Sequence, residues 1–384
     1  MCGIAGLFHP ATAKPVDPAR LRAMIGVQAH RGPDGQGIWT APGVGFAHAR
    51  LSIIDVAGSA QPMVEDEVAV CFNGEIYNYR ALREELRARG AVFRTDGDTE
   101  VLLHGWRHWG PSMLHRLVGM FAFAIHDAKA GTLFLARDRL GVKPLHWAEL
   151  TDGAVAFASE MKGVLAHPLF RRRPDIRAVE DYLALGYVPD DASMVAGIHK
   201  LAAGHFLLIE RGRGVPTPRQ WWDVDFSKRE NGSVAQLGDG LLQRMREGVT
   251  SRMVADVPLG AFLSGGVDSS GVVALMAEAS PRAVRTCTIG FEEAGHDERG
   301  YAQIIARRFA TDHVERIVRA DDYALIDTLV THFDEPFADA SALATYRLCQ
   351  LAREHVTVAL SGDGADEALA GYRRHVFHAG EERV

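Results

Sequence analysis

Cysteine is scarce in this chain. The 384 residues hold four, Cys2, Cys71, Cys287 and Cys349, with no Cys-x-x-Cys pair among them. That spacing excludes a zinc ribbon and a disulfide framework, and thiols left reduced point to a cytoplasmic setting. Cys71, Cys287 and Cys349 have apolar neighbours and read as small core residues. No uninterrupted apolar run reaches the ~20 residues of a membrane helix, and no cationic stretch precedes an apolar one at the start. Neither a spanning segment nor a secretory signal is therefore expected. Positive charge is short as well: 42 Lys and Arg against 49 Asp and Glu leave a net charge of −7. Such a balance offers nothing to nucleic acid or an anionic membrane. The basic run Arg171-Arg172-Arg173, next to Pro174, reads as a solvated loop. Against these absences, 47% hydrophobic and 24% charged residues are ordinary for a globular protein, and the length suffices for two domains with cores of their own.

The two halves differ in pattern. Up to about residue 210, short apolar runs bounded by Gly, Asp and Asn predict strands at Val44–Ala47, Ala69–Phe72, Phe121–Ile125, Leu133–Arg137, Ala154–Ala158 and His205–Ile209. Such runs suggest largely antiparallel sheets, with helices expected at Tyr79–Arg89 and Thr99–Trp109. Residues 213–232, rich in Gly, Pro and polar side chains, are the expected linker, with Trp221-Trp222 pinning it to a domain surface. From 233 to 384 the pattern becomes strand and helix in alternation. Val234, Leu237, Leu241, Met245, Val249 and Met253 recur at helical spacing. Strands are expected at Leu259–Leu263, Val284–Ile289, His313–Val318 and Val356–Leu360, with helices at Ser270–Ala279, Glu298–Phe309 and Leu343–Glu354. This alternation predicts a doubly wound parallel sheet, whose ligands sit beyond the carboxyl ends of the strands.

The start is the most informative stretch. Met1-Cys2-Gly3-Ile4-Ala5-Gly6 places a cysteine where removal of the initiator methionine would give one residue both a thiol and a free α-amine. That amine titrates near pH ~8 in a plain peptide, so it can serve as the base that a weakly ionised thiol needs. A frayed terminus is the plainer reading. The apolar run Ile4–Phe8, with two glycines, instead suggests a buried strand.

Two loops in the second half follow apolar strands. Ser264-Gly265-Gly266-Val267-Asp268-Ser269-Ser270 supplies glycines for close anion approach, hydroxyl donors and a helix N-terminus. No Lys-Ser/Thr follows, so it is not a Walker loop. It resembles the PP-loop of enzymes that cleave ATP between the α and β phosphates. The acidic loop Ser361-Gly362-Asp363-Gly364-Ala365-Asp366-Glu367 could lie beside it. Asp268 and Asp366 are then the candidates to hold Mg²⁺, which prefers hard oxygen ligands. A surface calcium loop is the other reading of the acidic stretch, but it lacks the ligand number and spacing of an EF-hand.

Taken together, "MCGIAGLF", "HRGPDGQG" (30–37), "ARLSIID" (49–55), "FNGEIYN" (72–78), "DGDTEVLL" (96–103), "ARDRLGVKPL" (136–145), "LSGGVDSS" (263–270) and "ALSGDGADE" (359–367) resemble the glutamine-dependent asparagine synthetases over the whole chain. The resemblance implies an α+β N-terminal-nucleophile glutaminase, an αββα sandwich, over 1–212. An α/β ATP pyrophosphatase domain with a doubly wound parallel sheet would then occupy 233–384. It implies that Cys2 attacks the side-chain amide of glutamine and that Asn73 with Gly74 forms the oxyanion hole. Arg50 would hold the α-carboxylate, Leu51, Ser52, Ile53 and Ile54 would line the glutamine site, and Glu75 with Asp98 would meet the α-ammonium. Each role suits the chemistry, since a guanidinium pairs with a carboxylate and amide donors meet an oxyanion. Asn-Gly alone also reads as a hairpin turn, and Arg50 alone as a surface ion-pair residue. For ATP, a substrate, the resemblance implies Leu263, Ser264, Gly265, Gly266, Asp268, Ser269, Ser270, Ile289, Ser361 and Gly362. Aspartate would be activated as its acyl-adenylate and attacked by ammonia.

The family continues past Ser-Gly-Asp-Gly with a segment that carries a lysine and part of the aspartate pocket, whereas this sequence stops at Val384. The expectation is a chain that hydrolyses glutamine and makes little asparagine alone. The tail "AGYRRHVFHAGEERV" also resembles paralogous amidotransferases with a different carboxylate or sugar-polymer acceptor. The implied partners are glutamine, aspartate and ATP, without nucleic acid or membrane, and a homodimer is compatible with the resemblance.

Overall fold

The computed structural model describes residues 1–292, 295, 297–319 and 323–381. The described chain folds as two compact units: Met1–Lys228 together with Val330–Ala338 form the first, and the remainder forms the second. This division differs from the expected one. Residues 213–228 group with the first unit, and the second half is interrupted where 330–338 return to the first. Trp221 shows why the expected linker is not loose. Its indole N–H donates to the Arg137 carbonyl at 3.2 Å, and its ring stacks on Phe121 at 6.2 Å under the Arg139 guanidinium.

The first unit opens with β1 (Gly3–Phe8), α1 (Pro18–Gly26), β2 (Gly35–Ala41), β3 (Val44–Arg50), β4 (Met63–Glu65) and β5 (Val68–Ile76). It continues through α2 (Tyr79–Ala88), α3 (Thr99–Trp109), β6 (Gly119–Asp127), β7 (Thr132–Arg137), β8 (His146–Glu149) and β9 (Val155–Ala158). After α4 (Met161–Leu165) and α5 (Ile176–Leu185) come β10 (His199–Lys200), β11 (His205–Glu210) and β12 (Arg219–Gln220). The strands form two antiparallel sheets, ordered β10-β8-β9-β1-β3-β2 and β12-β11-β7-β6-β5-β4. Ile4, Phe8, Phe46 and Phe157 of one sheet pack in a single buried cluster with Cys71, Ala124, Leu135 and Ile209 of the other. On its far face the first sheet packs Leu7, Ala47 and Ala156 on Leu21, Met24 and Val164 of α1 and α4. The second sheet carries α3, with α2 beside it. The result is the expected αββα sandwich.

β1 sits between β3 and β9 with every residue buried, so its sequence is continuously apolar rather than alternating. Gly6 is required there, because a Cβ would stand 2.3 Å from the Phe157 ring. α1 starts where Asp17 accepts from the Ala19 N–H at 2.8 Å and Pro18 supplies a helical φ.

The second unit runs α6 (Val234–Arg252), β13 (Leu259–Phe262), α7 (Val267–Ala279), β14 (Arg285–Phe291), α8 (Arg299–Arg308) and β15 (Asp312–Val318). α9 (Ile326–His332) leads out of it, and α10 (Ser341–Arg353), β16 (Val358–Leu360), α11 (Ala365–Leu369) and α12 (Arg373–Glu381) complete it. Its sheet is parallel, in the order β15-β14-β13-β16. From β13 the chain winds outward to β15 and then crosses to β16 on the other side. The β13/β16 boundary is thus the switch point where such sheets open a crevice.

Two expectations need correction. Cys349, on α10, is exposed rather than a core residue. The helix from Val234 is present and begins with a Ser233–Gln236 capping box, yet Val234 is 88% exposed and Val249 alone of its apolar series is buried. Among the described residues, no helix is long and apolar enough to cross a membrane.

Candidate active sites

In the first unit, chemistry gathers around the end of β1. Register places Gly3 opposite Ala49, so Cys2 lies beside the turn that follows Arg50. The Leu51 N–H donates to Cys2 Sγ at 3.3 Å. The Cys2 carbonyl accepts from Arg31 Nε at 2.9 Å. Burial pushes the Cys2 thiol up. The Leu51 hydrogen bond, the terminal ammonium and the Arg50 guanidinium pull it down, and the Asp98 carboxylate adds to the rise.

Asn73 and Gly74 are not in a turn. They lie within β5, opposite Ala122 and Phe121. Phe121 uses its N–H on Asp138 Oδ2 and its C=O on the Asp138 N–H. Both groups therefore face away from β5, and the Gly74 N–H points out of that ladder. Asn73 is buried, and neither its Nδ2 nor its Oδ1 has a partner. A buried orphan amide is costly unless something completes it, and an oxyanion would use its donor. Gly74 cannot be replaced by a larger residue, since a Cβ would come within 2.2 Å of the Met120 carbonyl.

His48 holds this region in place across the sandwich. It is buried, and its Nε2 bonds the Phe72 carbonyl at 3.0 Å, next to Asn73. Burial lowers its pKa to about 4 despite that bond, so it is neutral. Arg50 donates from Nη1 to the Val56 carbonyl and from Nη2 to the Asp55 carbonyl, both at 2.9 Å. Its fork is thus braced by its own loop, with other donors left for a carboxylate. Ser52 donates its N–H to Asp34 Oδ2 at 2.8 Å, and Leu51, Ile53 and Ile54 stay half-buried around it. Asp98 is buried and accepts from the Ile76 N–H at 2.9 Å; burial lifts it to about 6. Glu75 is also buried.

Sequence reasoning missed His48, Lys143 and Glu160. Lys143 is buried, with Nζ 2.6 Å from Met1 Sδ. Burial lowers it to about 8 against the pull of Glu75. Its only signal was its place inside "ARDRLGVKPL".

In the second unit, β13 and β16 deliver the two loops to one cavity of about 640 Å³. Of the expected nucleotide residues, Leu263, Ser264, Gly266, Asp268, Ser269, Ile289, Ser361 and Gly362 line it, as does Asp366. Gly265 and Ser270 do not. Gly265 adopts φ +84° and packs so closely on Tyr301–Ala302 that a Cβ would be 2.5 Å from the Ala302 nitrogen, so it shapes the loop from behind. The Ser270 hydroxyl is buried without a partner. The loop is also wired internally: Ser269 Oγ meets Ser264 Oγ at 3.0 Å, and the Gly266 N–H donates to Ser264 Oγ at 3.2 Å. The Leu263 N–H is committed to the Cys287 carbonyl at 3.0 Å, and its C=O already accepts from Thr288, so only the second lone pair of that oxygen remains for a base. A Cβ on Gly362 would be 2.7 Å from the Ser269 nitrogen; glycine there lets the acidic loop rest on the start of α7. Asp268 and Asp366 share the cavity wall. Two carboxylates on one cavity wall suit Mg²⁺ in chemistry, since that ion takes few protein ligands and prefers hard oxygens.

Residues 1–222 match the glutamine amidotransferase domain family, and residues 240–383 match the asparagine synthase family. A putative glutamine-hydrolysing asparagine synthetase of Mycobacterium tuberculosis is 40% identical over 97% of this chain and 60% of its own length. Glutamine-hydrolysing asparagine synthetase 1 of Bacillus subtilis is 38% identical over 97% of this chain and 59% of its own. A putative counterpart in Methanocaldococcus jannaschii is 36% identical over 98% and 76%. The chain thus spans about 60% of the length of the first two. With a braced cysteine and an orphaned amide in one unit, paired anion loops in the other, and relatives that match along nearly its whole length, the chain belongs to the glutamine-hydrolysing asparagine synthetase family.

Proposed function

We propose that the first unit hydrolyses glutamine at Cys2 and that the second uses ATP to activate aspartate, so that the ammonia released makes asparagine. The observation that carries this reading is the pairing of a Cys2 sulfur held by the Leu51 N–H with an unpartnered buried amide at Asn73. With Met1 removed, the α-amine of Cys2 takes the thiol proton, and Sγ attacks the side-chain carbonyl of glutamine. The oxyanion that forms is met by Asn73 Nδ2 and the Gly74 N–H. Arg50 holds the α-carboxylate, and Asp98 with Glu75 the α-ammonium. The protonated amine then gives its proton to the departing nitrogen, leaving a glutamyl thioester that water hydrolyses to glutamate.

In the second unit the backbone of Ser264–Gly266 and the start of α7 receive the phosphates, and Ile289 with the Leu263 carbonyl borders the base. Asp268 and Asp366 would hold magnesium, whose chemistry when bound is to neutralise charge on a pyrophosphate. A cytoplasmic setting, where thiols stay reduced, and a homodimer belong to the same reading.

The test is untagged protein given glutamine, ATP–Mg²⁺ and labelled aspartate, with glutamate, pyrophosphate and asparagine followed together. Cys2→Ala is expected to abolish glutamate release with the melting temperature intact. Glutamate release by that variant at the parent rate would refute the assignment.

A further inference from the structure

Arg50 and Asp98, the two charges proposed to meet the α-carboxylate and α-ammonium of glutamine, lie on separate loops, and one residue ties those loops together. Asp55, in the loop after β3, has a left-handed φ of +48°, which aspartate tolerates better than most side chains. Its backbone carbonyl accepts from Arg50 Nη2 at 2.9 Å and from the Ser59 N–H at 3.2 Å. Its carboxylate closes the same loop: Oδ1 accepts from the Gly58 N–H at 2.9 Å, and Oδ2 from the Ser59 hydroxyl at 3.1 Å. Oδ2 also accepts from the Asp96 N–H at 3.0 Å, across 41 residues of chain. Asp98 follows two residues after that contact.

The loop that carries Asp98 is held by other side chains as well. Arg83 is buried and donates from Nη1 to the Gly97 carbonyl at 3.1 Å and from Nη2 to the Thr95 carbonyl at 2.6 Å. Glu100 accepts from the Arg94 and Thr95 N–H groups, both at 2.8 Å. The two loops meet without slack, since a Cβ on Gly97 would stand 2.0 Å from Ser59 Oγ. Donors from Gly58, Ser59 and Asp96 thus converge on the Asp55 carboxylate, whose two oxygens only accept. Asparagine in its place would set an NH₂ group against at least one of those donors. Burial pushes the Asp55 carboxyl up, but hydrogen bonds from Asp96, Gly58, Ser59 and Gly97 outweigh this and hold it below the usual carboxylate range.

We propose that Asp55 is a positioning residue for α-amino-acid recognition: it fixes Arg50 and Asp98 at one spacing and so restricts the site to ligands with a carboxylate and an ammonium on one carbon. For the roles of Arg50 and Asp98 this rests on the reading above. A guanidinium and a carboxylate that must meet groups on the same atom tolerate displacements of only about 0.5 Å. Loss of the Asp55 carboxylate contacts frees the loop, and with it the carbonyls of Asp55 and Val56 that hold the Arg50 fork. An arginine left unbraced loses affinity to its own ordering.

The experiment reads occupancy beside Cys2 without turnover. The intact chain is treated with iodoacetamide at pH ~8, where Asp98 is ionised. The concentration of L-glutamate that halves alkylation of the Cys2 peptide is then measured by mass spectrometry. Glutarate, which lacks the ammonium, and 4-aminobutyrate, which lacks the α-carboxylate, are tested in the same way. In the parent, glutamate is expected to protect at a concentration about tenfold or more below either. In Asp55→Asn the half-protecting concentration of glutamate is expected to rise about tenfold, with the other two ligands shifted far less, so that the preference for the full amino acid collapses. Ser59→Ala removes one donor and keeps the loop backbone. It is expected to shift glutamate about threefold in the same direction, and it carries the test if Asp55→Asn fails to fold. An unshifted preference in the variants, equal shifts for all three ligands, or a parent that prefers none of them overturns the role of Asp55. Glutamine hydrolysis by the parent is measured alongside. The expected shifts in a parent that leaves glutamine intact support Asp55 and remove the glutaminase reading; an unshifted preference in a parent that hydrolyses glutamine removes Asp55 alone.

Discussion

Asp98 shows how one buried group would set the working range of the proposed glutamine site. Burial raises its carboxyl to about 6, while a free aspartate titrates near ~4. A folded pKa above the unfolded one means that ionised Asp98 weakens the fold, and this loss builds as pH rises from ~4 through about 6. On the proposed assignment, bound glutamine should reverse it by bringing an ammonium to the carboxylate. As pH falls through about 6 the carboxyl takes a proton and that partner is lost. The KM for glutamine is then expected to rise roughly tenfold per pH unit below the transition. A KM flat down to pH ~5 would remove Asp98 from ammonium recognition. At this scale the sequence alone was a partial guide. Cys2 follows from the residues themselves, and Asn73 and Asp98 from resemblance, but nothing in a linear chain shows that Asn73 is orphaned or that Gly74 must clear the Met120 carbonyl. His48 was missed because a lone histidine in an apolar run gives no sign of a bond to the opposite sheet.

Among the elements, the loop between β13 and α7 does the most with the fewest residues. Gly265 combines a left-handed φ with contact against Tyr301 and Ala302 of α8. Gly265→Ala adds backbone strain of about 1–2 kcal/mol and a steric clash besides. The loop should retreat from its position over α7, and ATP-analogue affinity is expected to fall by an order of magnitude or more, measured by titration calorimetry. Affinity within twofold of the parent would show that the loop has room the structure does not reveal. Strand and helix positions were largely legible, because apolar runs of five or six residues and 3.6-residue periodicity survive in β5, β6, β7, α3 and α10. α1 and α5 were not recognised: α1 is short, and α5, though rich in apolar residues, buries Ala178 alone. α6 was recognised by a periodicity most of whose residues stay exposed, a case in which pattern identified the helix but not its packing.

Across the first unit, Glu160 ties the distant residues His30 and Arg31 to its own neighbour Lys162. Burial pushes its carboxyl up, but hydrogen bonds from His30, Arg31 and Lys162 outweigh this and hold it at about 2. With the folded pKa below the unfolded one, its contribution is complete above ~4.3 and disappears as pH falls towards about 2. Glu160→Gln should cost about 3–5 kcal/mol, because it strands buried cations, and should flatten the loss of stability between pH ~4.3 and 3. Chemical denaturation across that range checks both. No reading of the sequence anticipated this union, since Arg31 and Glu160 lie 129 residues apart. The return of residues 330–338 to the first unit has one more consequence, for the making of the protein. A ribosome must pass residue 338 before the first unit can close its last contacts, by which point the parallel strands β13 to β15 have already been made. Until then Lys162 lacks Asp334 and Lys200 lacks Glu335. The order of synthesis alone would thus leave the first unit short of its last contacts until three parallel strands of the second have been made.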